Sequence, residues 1–118
     1  MPIVTLTTDF GTQDYYAGAL KGALLRRNPD LHLVDISHDI APFDIVQGAF
    51  VVRNTWSEFP EGTIHLIGVH CVYNLGFRFV ALRHKGHYFL APDNGLLTLL
   101  FEEIDPVDLR NLPTDASE

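Results

Sequence analysis

Ile3-Val4-Thr5-Leu6-Thr7-Thr8-Asp9-Phe10-Gly11-Thr12 is the stretch on which the fold turns. Its first six residues are β-branched or apolar in a run, which predicts a strand. Asp9-Phe10-Gly11-Thr12 breaks that run. Tyr15 to Arg27 follows as a predicted helix, with Tyr16, Ala19, Leu20, Ala23 and Leu24 on a 3.6-residue period. Gln13 or Asp14 stands where a cap would open it, and Asp is the better cap by intrinsic preference. Asn28-Pro29-Asp30 stops the helix, and Leu31 to Ile36 is a second strand, too apolar as a run to be half-solvated. Strand, helix and strand in this rhythm make a βαβ unit with parallel strands.

The same alternation continues outward. Asp44 to Trp56 predicts a second helix, with Asp44 as N-cap and Ile45, Ala49, Val52 and Trp56 on the buried side. Pro60-Glu61-Gly62 is a turn, and Thr63 to Val69 a third strand. Phe79 to Arg83 and His87 to Leu90 flank Lys85-Gly86 as an antiparallel hairpin. After the loop Ala91-Pro92-Asp93-Asn94-Gly95, a helix runs from Leu96 to Phe101. Residues 102–118 carry six acids against the single base Arg110 and predict a thinly packed tail. The expectation is one α/β domain over residues 1–101, an open, mostly parallel, Rossmann-like sheet with helices on both faces.

Composition narrows the function. The chain has 118 residues, enough for one domain, and 47% of them are apolar, enough for a core. A core of this size is marginal, so association would help it. Fifteen acids against eight Lys and Arg give a net charge of −7, which argues against a nucleic-acid surface and against an anionic membrane. The lone Cys71 excludes an intrachain disulfide and a Cys-rich zinc site. Neither a signal peptide nor a run of the ~20 apolar residues that span a bilayer is present, so the expected compartment is the cytoplasm.

Ligands of open α/β sheets bind outside the carboxyl ends of the strands. By this reading the loops Asp9 to Asp14, Ser37 to Phe43 and His70 to Gly76 gather there, bringing Asp9, Asp14, Tyr15, His38, Phe43, His70 and Tyr73 together, with Asp93 to Gly95 as a possible fourth loop. Asp9 can accept the two hydroxyls of a ribose, or merely close an Asx-turn. Phe43 can staple the following helix or stack on a purine. His70 suits acid–base work, while Cys71 beside it reads as an inert core thiol. Ser37-His38-Asp39 has the letters of a catalytic triad, but adjacent residues do not converge as a triad must, so His38 reads as a loop residue bonded to backbone. No phosphate-cradling glycine motif occurs, and Asp9, Asp39 and Asp93 have no metal-ligand spacing.

Taken in order, several segments carry a family likeness. They are Thr7-Thr8-Asp9-Phe10-Gly11-Thr12 with Asp14-Tyr15-Tyr16, Val34-Asp35-Ile36-Ser37-His38, Pro42-Phe43-Asp44-Ile45 with Gly48-Ala49-Phe50, and Ala91-Pro92-Asp93-Asn94-Gly95-Leu96-Leu97. Over residues 3–101 the chain resembles the N-terminal domain of the S-adenosyl-L-methionine hydroxide adenosyltransferases, which are similar to the fluorinase and chlorinase. The resemblance implies displacement of methionine at ribose C5′ by water, with S-adenosylmethionine as substrate and neither metal nor cofactor. Among substrate-binding residues it implies Asp9 on the ribose hydroxyls, Asp14 near the methionine portion, Phe43 against the nucleoside, and Asn94 and Gly95 lining the site.

Members that use water carry an Asp, an Arg and a His held to orient and activate it. Here His70 stands at the Asp position and Phe77 at the Arg position, with Arg78 adjacent, so His70 and Arg78 are the catalytic candidates. The family His lies in a later segment. The resemblance also implies a trimer, with substrate between the N-domain of one subunit and a β-rich C-terminal domain of the next. The expectation is a homotrimer, or a separately encoded C-terminal partner, and no enzyme-like turnover by these 118 residues alone. The competing class is a noncatalytic nucleoside-binding or subunit module.

Overall fold

The backbone alternates strand and helix from its first turn. The structure, a computed structural model, describes residues 2–69, 79–101 and 109–111. In chain order these form β1 (Ile3–Thr8), α1 (Tyr16–Arg27), β2 (His32–Ser37), α2 (Ile45–Arg53), β3 (Ile64–Gly68), β4 (Phe79–His84), β5 (His87–Pro92), α3 (Leu96–Leu100) and β6 (Leu109–Asn111). The sheet order is β2-β1-β3-β5-β4-β6. β1 pairs in parallel with β2 and β3, and β3 in parallel with β5. β4 is antiparallel to both β5 and β6. The expected open, mostly parallel α/β sheet is therefore the observed one.

Side-chain alternation gives the sheet two unlike faces. Ile67, Val69, Leu82, Phe89 and Ala91 pack against Ala49 and Val52 of α2 and Leu96, Leu97 and Leu100 of α3. Gly48 lets α2 settle closely, since a Cβ there would stand 3.1 Å from Val69 Cγ2 and 3.3 Å from Leu96 Cδ1. The Arg53 guanidinium donates to the Leu99 carbonyl and ties α2 to α3. On the other face, Lys21 of α1 reaches Asp35, the register partner of Leu6.

Local chemistry explains most element ends. Asp44 caps α2 by accepting from Gln47 N at 3.0 Å, as its sequence position predicts. Asn54 and Thr55 side chains then bond the Phe50 and Val51 carbonyls, and α2 stops at Arg53. Trp56 accordingly belongs to a separate 3₁₀ turn, Trp56–Glu58, although its ring still packs on the core. Lys85 and Gly86 have φ of 50° and 81°, the two-residue turn with positive φ at both positions that matches strand twist.

Four expectations need correction. Asp14 does not cap α1: its carboxylate accepts from Tyr15 N at 2.7 Å, and Tyr15 holds the cap position without a side-chain bond. The inner side of α1 is Ala17 with half-buried Leu20, Lys21 and Leu24, whereas Tyr16, Ala19 and Ala23 face outward. β2 is an edge strand with His32 and Asp35 exposed, so its apolar run is half-solvated after all. Leu109–Asn111, inside the stretch expected to be a tail, adds a strand beside β4, with Leu109 against the core.

Candidate functional site

The chain leaves β1 toward β2 on one side and returns across the sheet to β3 on the other. This makes the carboxyl ends of β1 and β3 a topological switch point, the crevice where such sheets take ligands. Asp9 sits there as the first residue past β1, half-buried, its N–H on the Gly68 carbonyl at 3.4 Å. Phe43 N donates to Asp9 Oδ2 at 3.0 Å. A carboxylate has about four lone-pair sites on its two oxygens, so this bond does not exhaust the group. Gly11, at φ 77°, turns the backbone so that its N–H reaches the His38 carbonyl at 2.6 Å. Two of the predicted loops, Asp9 to Asp14 and Ser37 to Phe43, thus close on one another.

Phe43 adopts φ 66°, a left-handed conformation uncommon for a bulky residue, and its side chain is 65% exposed. Ala41 N donates to Gln47 Oε1 at 2.7 Å and Asp44 N to the Ala41 carbonyl, bracing the loop that presents the ring. The exposed ring excludes the staple reading, which needs a packed side chain. Tyr15 and Tyr16, also exposed, lie with ring centroids 4.5 Å apart at the entry to α1, beside Asp14. The neighbouring Tyr15 hydroxyl, and then the Asp14 charge, push the Tyr16 phenol above its usual range.

The fourth loop joins at β3. Asn94 Nδ2 donates to the Val69 carbonyl at 3.0 Å, and Asn94 Oδ1 accepts from Leu96 N at 3.1 Å. One amide therefore anchors the loop to the strand end and helps start α3. Gly95, at φ 89°, makes the turn between them. Asp9 and Asn94 flank the end of β3 from opposite sides. His70 and Arg78, the catalytic candidates, and Tyr73 lie outside the described residues. Among the described residues, no group of three or more His, Cys, Asp or Glu is placed to hold a metal ion. No helix among them is long and apolar enough to cross a membrane.

Sequence reasoning missed one part of this neighbourhood. His38 is 5% exposed, and its side chain bonds other side chains. Nδ1 lies 2.7 Å from Thr8 Oγ1 and Nε2 2.8 Å from Asp35 Oδ1. The only local signal was the spacing of Asp35 and His38, three residues apart. Hydrogen bonds from Lys21, and then from His38, hold the Asp35 carboxyl below its usual range.

Comparison with known proteins places these features. The chain is 38% identical over 109 residues to an (R)-S-adenosyl-L-methionine hydrolase of Methanocaldococcus jannaschii, covering 88% of this chain and 41% of that protein. It is 31% identical over 125 residues to a fluorinase of an Actinoplanes species, covering 86% and 42%. The chain thus spans about two-fifths of the length of these relatives. The crystal structure of an uncharacterized conserved protein from Thermotoga maritima is similar at a TM-score of 0.84 and 31% identity, over 94% of this chain and 43% of that one. Residues 4–118 match the family described as the SAM hydroxide adenosyltransferase N-terminal domain. Since that match takes in β1, both crossovers and the Asn94 loop, the chain belongs to that family.

Proposed function

We propose that this chain supplies the adenosyl-binding half of an enzyme that cleaves S-adenosylmethionine. Water attacks ribose C5′, the C5′–S bond breaks with its electron pair going to sulfur, and the water proton leaves to solvent. The products are adenosine and methionine. Asp9 takes the ribose hydroxyls, Phe43 covers the nucleoside, Asn94 and Gly95 line the site, and Asp14 lies toward the methionine end. His70 and Arg78 are the groups offered to the nucleophile. The observation that carries the reading is the tie between Asp9 and Phe43 at the β1–β3 switch point. It holds a hydroxyl acceptor and an exposed aromatic ring side by side, which is what a nucleoside requires. Alignment and desolvation would supply the catalysis, because a sulfonium is already a good leaving group.

A noncatalytic nucleoside-binding module is the second reading, favoured by His70 at the position where the family's water-using members carry Asp. A neutral imidazole lacks the charge a carboxylate brings near a sulfonium. Calorimetry with adenosine and with S-adenosylmethionine tests the shared part. Asp9→Ala is expected to lose about 1.5–3 kcal/mol of binding, as for charge-assisted hydrogen bonds. Equal affinity in both proteins removes Asp9 from the site. Chromatography for adenosine and methionine, run with and without a separately encoded C-terminal partner, separates the readings. Turnover that appears with the partner and is abolished by His70→Ala supports the enzyme, and binding without turnover in both cases supports the module. We further propose a homotrimer, an assembly in line with exposed Val46 and Phe50 on α2, and light scattering showing a stable monomer refutes it.

A further inference from the structure

Lys21, Asp35, His38 and Thr8 form one continuous line of hydrogen bonds that ends beneath Asp9. Lys21 Nζ donates to Asp35 Oδ2 at 2.8 Å, while Asp35 Oδ1 faces His38 Nε2 at 2.8 Å. His38 Nδ1 faces Thr8 Oγ1 at 2.7 Å, and the same oxygen accepts from Phe10 N at 3.2 Å. An ionised carboxylate only accepts, so Nε2 carries the proton. In the neutral ring Nδ1 is then an acceptor, the Thr8 hydroxyl donates to it, and the Thr8 lone pairs serve Phe10 N–H. Every hydrogen bond in the line then has one donor and one acceptor.

Acid, imidazole and hydroxyl in this order have the connectivity of a nucleophilic triad. Thr8 cannot act as a nucleophile, because its side chain is fully buried and no substrate atom can reach it. What the line does reach is the backbone on both sides of Asp9. Thr8 precedes it, Phe10 N is held by Thr8 Oγ1, and Gly11 N is held by the His38 carbonyl. Ile40 N bonds the Thr8 carbonyl at 3.4 Å and closes the frame. A ligand-binding carboxylate half-buried on a turn depends on such a frame, since a small misplacement forfeits paired hydrogen bonds.

We propose that His38 is a positioning residue, fixed in its Nε2–H tautomer by Asp35, that sets the Thr8–Gly11 turn and thereby the aim of Asp9. The proposal rests on the reading of Asp9 as the ribose acceptor. It adds a requirement that nothing in Asp9 itself imposes: adenosine affinity must depend on a buried hydroxyl and imidazole that never touch adenosine.

The test uses the full chain, with adenosine as the probe. Nitrogen NMR of the imidazoles is expected to show His38 as the Nε2–H tautomer, and an Nδ1–H tautomer overturns the proposal whatever the variants do. By calorimetry, Thr8→Val and His38→Asn are expected to weaken adenosine binding ~3–10-fold, the equivalent of one net hydrogen bond. Thr8→Ser, which keeps the oxygen, is expected to restore binding. A purely structural role would lower the melting temperature and leave the affinity of the folded protein as in the parent, and that result also overturns the proposal. Asp9→Ala separates the two layers. If it weakens binding while folded Thr8→Val binds like the parent, the positioning role fails and the site stands. If Asp9→Ala binds like the parent, the site reading fails and takes the proposal with it.

Discussion

Asp9 and Phe43 stand 34 residues apart in the chain and are joined by one hydrogen bond, from the Phe43 backbone N–H to the Asp9 carboxylate. The bond is made to a residue at φ 66°, where an L side chain is strained. The carboxylate thus anchors a strained, mostly exposed aromatic residue at a strand switch point.

That separation predicts opposite effects on stability and binding at Phe43. Phe43→Gly removes a left-handed strain of about 1 kcal/mol and a mostly exposed ring. Urea unfolding is expected to show stability unchanged or raised by up to about that amount, offset in part by the entropy of a freer chain. Adenosine affinity is expected to fall. A variant that binds as well as the parent takes the ring out of the site.

The second prediction concerns pH. Thr5 Oγ1 lies 2.8 Å from His65 Nδ1, and His65 Nε2 lies 3.1 Å from His87 Nδ1, among Trp56, Phe59 and Phe89. Burial, and then the nearby His87, lowers His65 to about 4. Burial also lowers His87, with the Glu61 charge opposing it. The unfolded chain binds these protons first, near its ordinary value of 6.5. The stabilisation is thus fully present above pH 6.5 and is lost as pH falls toward 4, on the order of 3 kcal/mol from His65. His65→Leu is expected to flatten the urea midpoint across that window, and an equally steep profile would acquit the pair.

Two glycines separate propensity from packing. Gly18 lies on the exposed side of α1, with nothing within 4 Å of an added Cβ, so Gly18→Ala is expected to stabilise by about 0.5–1 kcal/mol. Gly48→Ala gains the same propensity but meets Val69 and Leu96, neither of which can withdraw from the core. A net loss of about 1–2 kcal/mol is expected, the usual scale of overpacking. Thermal or urea melts of the two variants should move in opposite directions.

What was legible in the sequence were the elements whose signals are local. The Lys85-Gly86 hairpin, the Asp44 cap and the strand–helix alternation each rest on a few neighbouring residues. The inner face of α1 was not legible, because alanines and glycines recur so densely in Tyr16–Arg27 that several stripes fit the same period. The short strand Leu109–Asn111 hid among acids, since its pairing with β4 is a tertiary fact. Of the candidate site, Asp9, Phe43 and Asn94 were chosen by position after strands and before helices. His38 was misread because its partner Thr8 is thirty residues away. Nothing in the letters Ser37-His38-Asp39 points to the buried hydroxyl, and the acid that does engage His38 is Asp35, on its other side.

β1 carries its two threonine–histidine bonds three residues apart, at Thr5 and Thr8, and therefore on opposite faces of the sheet. A strand this rich in small β-branched residues has weak shape preferences and could slide along its neighbours during folding. A slip by one residue would turn Thr5 toward α1 and Thr8 toward α2, stranding both hydroxyls and two buried imidazoles at once. The paired threonines thus act as a vernier, in which only one alignment of β1 between β2 and β3 closes both marks.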